Sequence, residues 1–227
     1  MPETLPWLLA YALVPVAAIV LGGCAAVLRP QGRPLISAFQ HFAAGVVFSA
    51  VVLELLPRLH QIDQPLPMVA GFVAGVLTMM ASRRWFEAAG ALVPTAVDLF
   101  IDGLLIAIGL AAGIFGGMLL LAGLTIEALS LGLASTPALI RDGARKPTAI
   151  AIMAGLGLMI VLGAAAGYAS IGAAPPVLAA ILGFGVAALL YLVTEDLLLE
   201  AHATSDTPAV TATFFLGFLI PLVLAHL

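Results

Sequence analysis

The sequence predicts an all-α membrane protein with eight transmembrane helices, and three observations lead there. Of its 227 residues, 63% are hydrophobic and only 9% charged, with a mean hydropathy of +1.21. That leaves too little polar surface to cover a water-soluble globule. The apolar stretches are long and are punctuated by short polar or Pro/Gly clusters, a pattern of packed helices and not of alternating barrel strands. The basic residues, finally, gather in alternate connections between those stretches.

Taken in order, the spans are expected at Leu5 to Leu28, Leu35 to Leu56, Pro67 to Ala81, Ala88 to Ala112, Phe115 to Leu139, Thr148 to Ser170, Pro175 to Leu198 and Ala209 to Ala225. The third is short against the roughly 20 residues that cross a bilayer, so it should tilt little or start inside the interface. Of the eight Lys and Arg residues, Arg29, Arg33, Arg83, Arg84, Arg141, Arg145 and Lys146 then share one side, and Arg58 alone falls on the other. Basic residues beside span ends resist translocation, which places both termini on the periplasmic face of an expected bacterial inner membrane.

MPETLPW, ahead of the first span, has no basic residue, and the apolar run behind it exceeds the core of a signal peptide, so the first span is expected to stay in the mature protein. Cys24, the one cysteine, sits within that span. Neither a disulfide framework nor a thiolate metal site is available within one chain. The longest polar connections, RLHQIDQP, SRRWFEAAG, IRDGARKP and EAHATSDTP, are too short to hold a soluble domain. Residues 1–227 therefore read as one transmembrane domain whose chemistry lies in the bundle or at its mouths.

HFAAGVVFSAVVLELLP (His41 to Pro57) and GFGVAALLYLVTEDLLLE (Gly183 to Glu200) look like distant copies. Setting Phe42 against Phe184 brings Glu54 onto Asp196, Leu55 onto Leu197 and Leu56 onto Leu198. With five spans between second and seventh, the copies would face opposite ways across the bilayer, as in transporters built from inverted repeats. The competing explanation is that apolar helices resemble one another by composition.

The chemistry concentrates in VDLFIDGLLIAIG, Val97 to Gly109. Asp98 and Asp102 stand one helical turn apart on one face. Near mid-bilayer each Asp costs about 2.5–3.5 kcal/mol on insertion scales. Glu127 lies comparably deep in LLLAGLTIEALSLGLAS, and GIFGG, Gly113 to Gly117, is short enough to make the fourth and fifth spans antiparallel neighbours. Three carboxylates from two adjacent helices can then converge. No Lys, Arg or His lies in the middle of any span, so compensation falls to protons or to a bound cation, and the cluster reads as a cation site.

The alternative is that each acid stays protonated and hydrogen-bonds a backbone carbonyl, Thr125 or Ser130. Pro94, one turn before Asp98, bends the helix or frees the carbonyl near Gly90 to face the cavity. Gln40, His41, Glu54, Glu195, Asp196, Glu200 and His202 sit near span ends and are expected to be solvated, with His202 and Glu200 or Asp206 as a conceivable relay. His60 and His226 are expected to be exposed.

These residues resemble the ZIP family of divalent metal transporters. FAAGVVFSAVVLELLP is similar to the family's second span, DLFIDGL falls where its fourth carries HNxPEG, and IEALSLGLA falls at the PEGLA-like run of its fifth. GFGVAALLYLVTEDLLLEA and TFFLGFLIPLVL resemble its last two spans, so the likeness covers nearly the whole chain. The resemblance implies a 3+2+3 helix arrangement with inverted flanking repeats, and a transport site of Asp98, Asp102 and Glu127.

It also marks departures. Leu99 and Leu124 stand where the family often has Asn, His or Asp, the sixth span (AIMAGLGLMIVLGAAAG) lacks the Glu that joins a second metal, and the His-rich cytoplasmic loop shrinks to SRRWFEAAG. One metal is expected, not two. An all-oxygen site favours Mn²⁺ or Fe²⁺ relative to Zn²⁺ more than an imidazole site would, with zinc still admissible.

The expected function is secondary transport of zinc, manganese or iron, the ion being cargo and no cofactor being required. A proton- or sodium-coupled exchanger and a non-transporting scaffold or sensor are the rivals. An enzyme is not expected, for there is no nucleophile–base pairing, no phosphate loop and no HExxH. The metal ion and the bilayer are the expected partners, a homodimer is a candidate assembly, and no nucleic acid is expected.

Overall fold

The computed structural model describes residues 4–29, 32–85, 92–201 and 207–226. Eight helices and no strand occur among them: α1 (Leu5–Leu28), α2 (Arg33–Ile62), α3 (Pro65–Trp85), α4 (Leu92–Ala112), α5 (Ile114–Arg141), α6 (Lys146–Ala169), α7 (residues 175–201) and α8 (Pro208–Leu224). Seven are long and apolar enough to cross a membrane, and α8 is shorter at 17 residues. Proline opens α1, α2, α6, α7 and α8 in the first or second position, where its missing N–H costs nothing and its fixed φ suits the helix. The chain reverses after α5 and α6 at Gly143 (φ 101) and Gly172 (φ 84), which occupy the left-handed region.

The surface is apolar and the interior carries the polar groups. Leu21, Leu28, Leu66, Leu77 and Phe215 are exposed, while Ser37, Gln40, His41, Asp98, Asp102, Glu127 and Ser130 are buried. That inversion suits a hydrocarbon surround. The fold is thus that of an all-helical, multi-pass membrane protein.

Packing is pairwise and close. α1 lies along α5 and α6, α4 along α6 and α5, α3 along α7, α8 along α2, and α2 along α5. Small residues permit this. Gly132 of α5 sits against the Ile19 carbonyl and the Gly23 amide of α1, and Gly103 of α4 against the Ile160 carbonyl and the Ala164 amide of α6. Gly75 of α3 rests on the Phe184 carbonyl of α7, and Gly217 of α8 on that of Phe42 in α2.

Among the described residues two helices contain a π turn. In α2 it spans Val51–Leu55, the Leu56 N–H reaching back to the Val51 carbonyl, and in α7 it spans Leu192–Leu197, the Leu198 N–H reaching back to that of Val193.

Three expectations change. The second span does not stop at Leu56 but continues through Pro57 to Ile62, because the wide turn just before Pro57 makes room for a residue that cannot donate to the ladder. The third begins two residues earlier than expected: α3 runs 21 residues, Pro65–Trp85, of which the apolar stretch is the 18 of Pro65–Ser82. Gln40 and His41 are not solvated but 3% and 1% exposed, because α7 and α8 pack over the first half of α2.

Candidate metal centre

α4 and α5 meet at Gly113, whose extended backbone (φ 169, ψ 136) turns one helix into the other. The Gly113 N–H still donates to the Gly109 carbonyl (3.1 Å), and the Gly117 N–H to that of Gly113 (3.0 Å). The helices then touch through glycine: a Cβ on Gly109 would lie 3.3 Å from the Gly117 Cα and 2.7 Å from Leu120 Cδ1. Gly103 brings the opposite side of α4 onto α6 in the same way. Held between two partners, α4 presents Asp98 and Asp102 from one face, and α5 presents Glu127 at matching depth.

The three carboxylates converge. Each offers an oxygen, and these atoms all lie within 4.8 Å of one another. Asp102 and Glu127 are 1% and 3% exposed, and Asp98 8%. Three oxygens around one transition ion at about 2.2 Å each would be about 3.6 to 3.8 Å apart, so a contraction of about 1 Å in their separations closes this group on a cation.

Neither Thr125 nor Ser130 donates to Asp102 Oδ1 or Glu127 Oε2. The Thr125 hydroxyl donates within its own helix to the Leu121 carbonyl (2.6 Å), and the buried Ser130 Oγ makes no hydrogen bond. Asp102 Oδ1 and Glu127 Oε2 are likewise buried without a hydrogen-bond partner. Between residues 92 and 140 the sequence has no Lys, Arg or His. At about 5 Å and an effective dielectric near 20, each ionised pair would repel by about 3 kcal/mol, so full charge on this cluster requires a counter-cation. Leu99 and Leu124, each buried, add apolar neighbours to these helices and no further ligand.

The remaining sequence-selected residues divide. His60, Glu195 and His226 are exposed as expected. Glu54, expected in solvent, is mostly buried and ion-paired with Arg58 one turn on. His202, Asp206 and Gly90, and with them the relay and the freed carbonyl, lie outside the described residues, as does the side chain of Glu200.

Sequence reading missed a polar patch on α2, where His41 Nδ1–H donates to the Ser37 carbonyl (3.0 Å) beside buried Gln40. The signal was present: positions 37, 40 and 41 share one helical face. No protein-family model and no curated protein matches the chain.

Proposed function

We propose that the chain is a ZIP-like secondary transporter of a divalent transition-metal ion, working by alternating access in a bacterial inner membrane with both termini periplasmic. The observation that carries this reading is the convergence of Asp98, Asp102 and Glu127 from two touching helices, buried and with no basic residue between positions 92 and 140. Intramembrane acids cost too much to be idle. An all-carboxylate set suits Mn²⁺ or Fe²⁺ and admits Zn²⁺.

A 3+2+3 arrangement, in which α1–α3 and α6–α8 are inverted units flanking α4 and α5, draws support from matched contacts. Gly132 meets Ile19 and Gly23 as Gly103 meets Ile160 and Ala164, and Gly217 meets Phe42 as Gly75 meets Phe184. The π turns of α2 and α7 close on equivalent bonds, Leu56 to Val51 and Leu198 to Val193. Under that pairing α4 and α5 exchange, and Asp98 becomes the counterpart of Glu127. The substrate then sits between halves that can rock about it.

Uptake of Mn²⁺ and Zn²⁺ into proteoliposomes tests the proposal. The wild type should accumulate metal, and Asp102→Asn and Glu127→Gln should abolish most of it. Undiminished uptake in both variants removes the assigned roles; Na⁺-driven flux indifferent to both metals replaces the reading with a monovalent-cation exchanger.

A further inference from the structure

A cavity of about 470 Å³ opens where the end of α2, the end of α4 and the start of α7 meet, and Glu54, Arg58, Gln61, Ile108 and Gly109 are among its lining residues. Ile108 is six residues beyond Asp102, about 9 Å along α4. The cavity stops short of the carboxylates. Buried Leu55 and Leu182 also line it, and Leu105, one turn before Gly109 on α4, fills the notch left by the missing Cβ of Gly185.

An ion pair stands at this mouth, beside Gln61. The Arg58 guanidinium meets the Glu54 carboxylate, the two side chains being 17% and 14% exposed, and Arg58 Nε has no hydrogen-bond partner. The pair is seated on glycine: a Cβ on Gly116 would occupy the Glu54 carboxylate, and one on Gly113 would lie 3.0 Å from an Arg58 terminal nitrogen. Glu54 also stands in the π turn of α2, a feature that occurs disproportionately at functional positions. In the sequence-matched copy Asp196 keeps the acid while Glu200 stands in the place of Arg58.

We propose that Glu54 is a transient cation-binding carboxylate at this mouth, and that Arg58 is a tethered cation holding its place until a divalent ion displaces it. This rests on the transport reading above. An arriving ion exchanges one ionic partner of Glu54 for another, and the released guanidinium swings into the cavity. The carboxylate is never left bare in a low-dielectric mouth.

Concentration-dependent Mn²⁺ uptake from the cavity side, in vesicles carrying equal amounts of folded protein, reads this out. Arg58→Met should lower KM several-fold by freeing Glu54, Glu54→Gln should raise it several-fold, and Arg58→Lys should stay near wild type. In the Glu54→Gln background Arg58→Met should add nothing, because the arginine acts through the glutamate. Wild-type uptake with KM unmoved in both single variants, or additive effects in the double variant, overturns the proposal while leaving the transporter intact. Absence of uptake by the wild type overturns both.

Discussion

At the scale of single residues, Asp102 and Glu127 carry opposite consequences for binding and for stability. Asp102→Asn and Glu127→Gln keep volume and remove charge, so each is expected to weaken Mn²⁺ binding by at least about tenfold, the equivalent of 1.4 kcal/mol. The same changes relieve a buried acid that lacks a hydrogen bond at one oxygen. The metal-free variants should unfold in detergent at the same temperature as wild type or higher, while the rise in unfolding temperature on adding Mn²⁺ disappears. Calorimetric titration and thermal unfolding on one set of samples check both; variants that lose metal-free stability instead would make these acids structural. The carboxylates were legible in sequence because a charge inside an apolar run has no ordinary reason to be there. Gln40 and His41 were not, since hydropathy gives distance from a span's end but not whether neighbouring helices cover it.

At the scale of helices, close approach and not side-chain interlocking sets the geometry. A methyl on Gly103 would run into the Ile160 carbonyl of α6, so Gly103→Ala should cost about 1–3 kcal/mol through forced separation. Gly155 of α6 meets nothing within 4 Å. There the same change should be neutral or stabilising by up to about 1 kcal/mol, from helix propensity. Equilibrium unfolding of the pair separates contact from propensity, and equal effects would mean that the α4–α6 seam is not as tight as described.

The helix spans themselves could be read from composition, with an error where hydropathy is a poor guide to continuation: Pro57 inside α2. The repeat was visible in α2 and α7, where Phe, Glu and Asp give the alignment purchase. In α1 and α6 the proposed repeat would fall on Ile, Gly and Ala, letters common to any span, and its support there is the matched contacts.

At the scale of the whole molecule the governing quantity is charge in a lipid-shielded interior. Three carboxyls are neutral with three protons, and equally neutral with one divalent ion and one proton. Metal binding should therefore release about two protons per ion, measurable in weakly buffered detergent solution, and should weaken as pH falls because protons compete for the same oxygens. Release near zero would mean that the empty cluster already holds another cation. The seven long apolar helices and the exposed leucines suit a membrane surround; the joint burial of Asp98, Asp102 and Glu127 is what the proposed cation site rests on.

Anomalous scattering from crystals grown with Mn²⁺ is the most direct measurement. One peak is expected between α4 and α5, about 2.2 Å from an oxygen of each of the three carboxylates. Saturating Mn²⁺ that gives no peak there, with the side chains turned away from one another, would contradict the central claim.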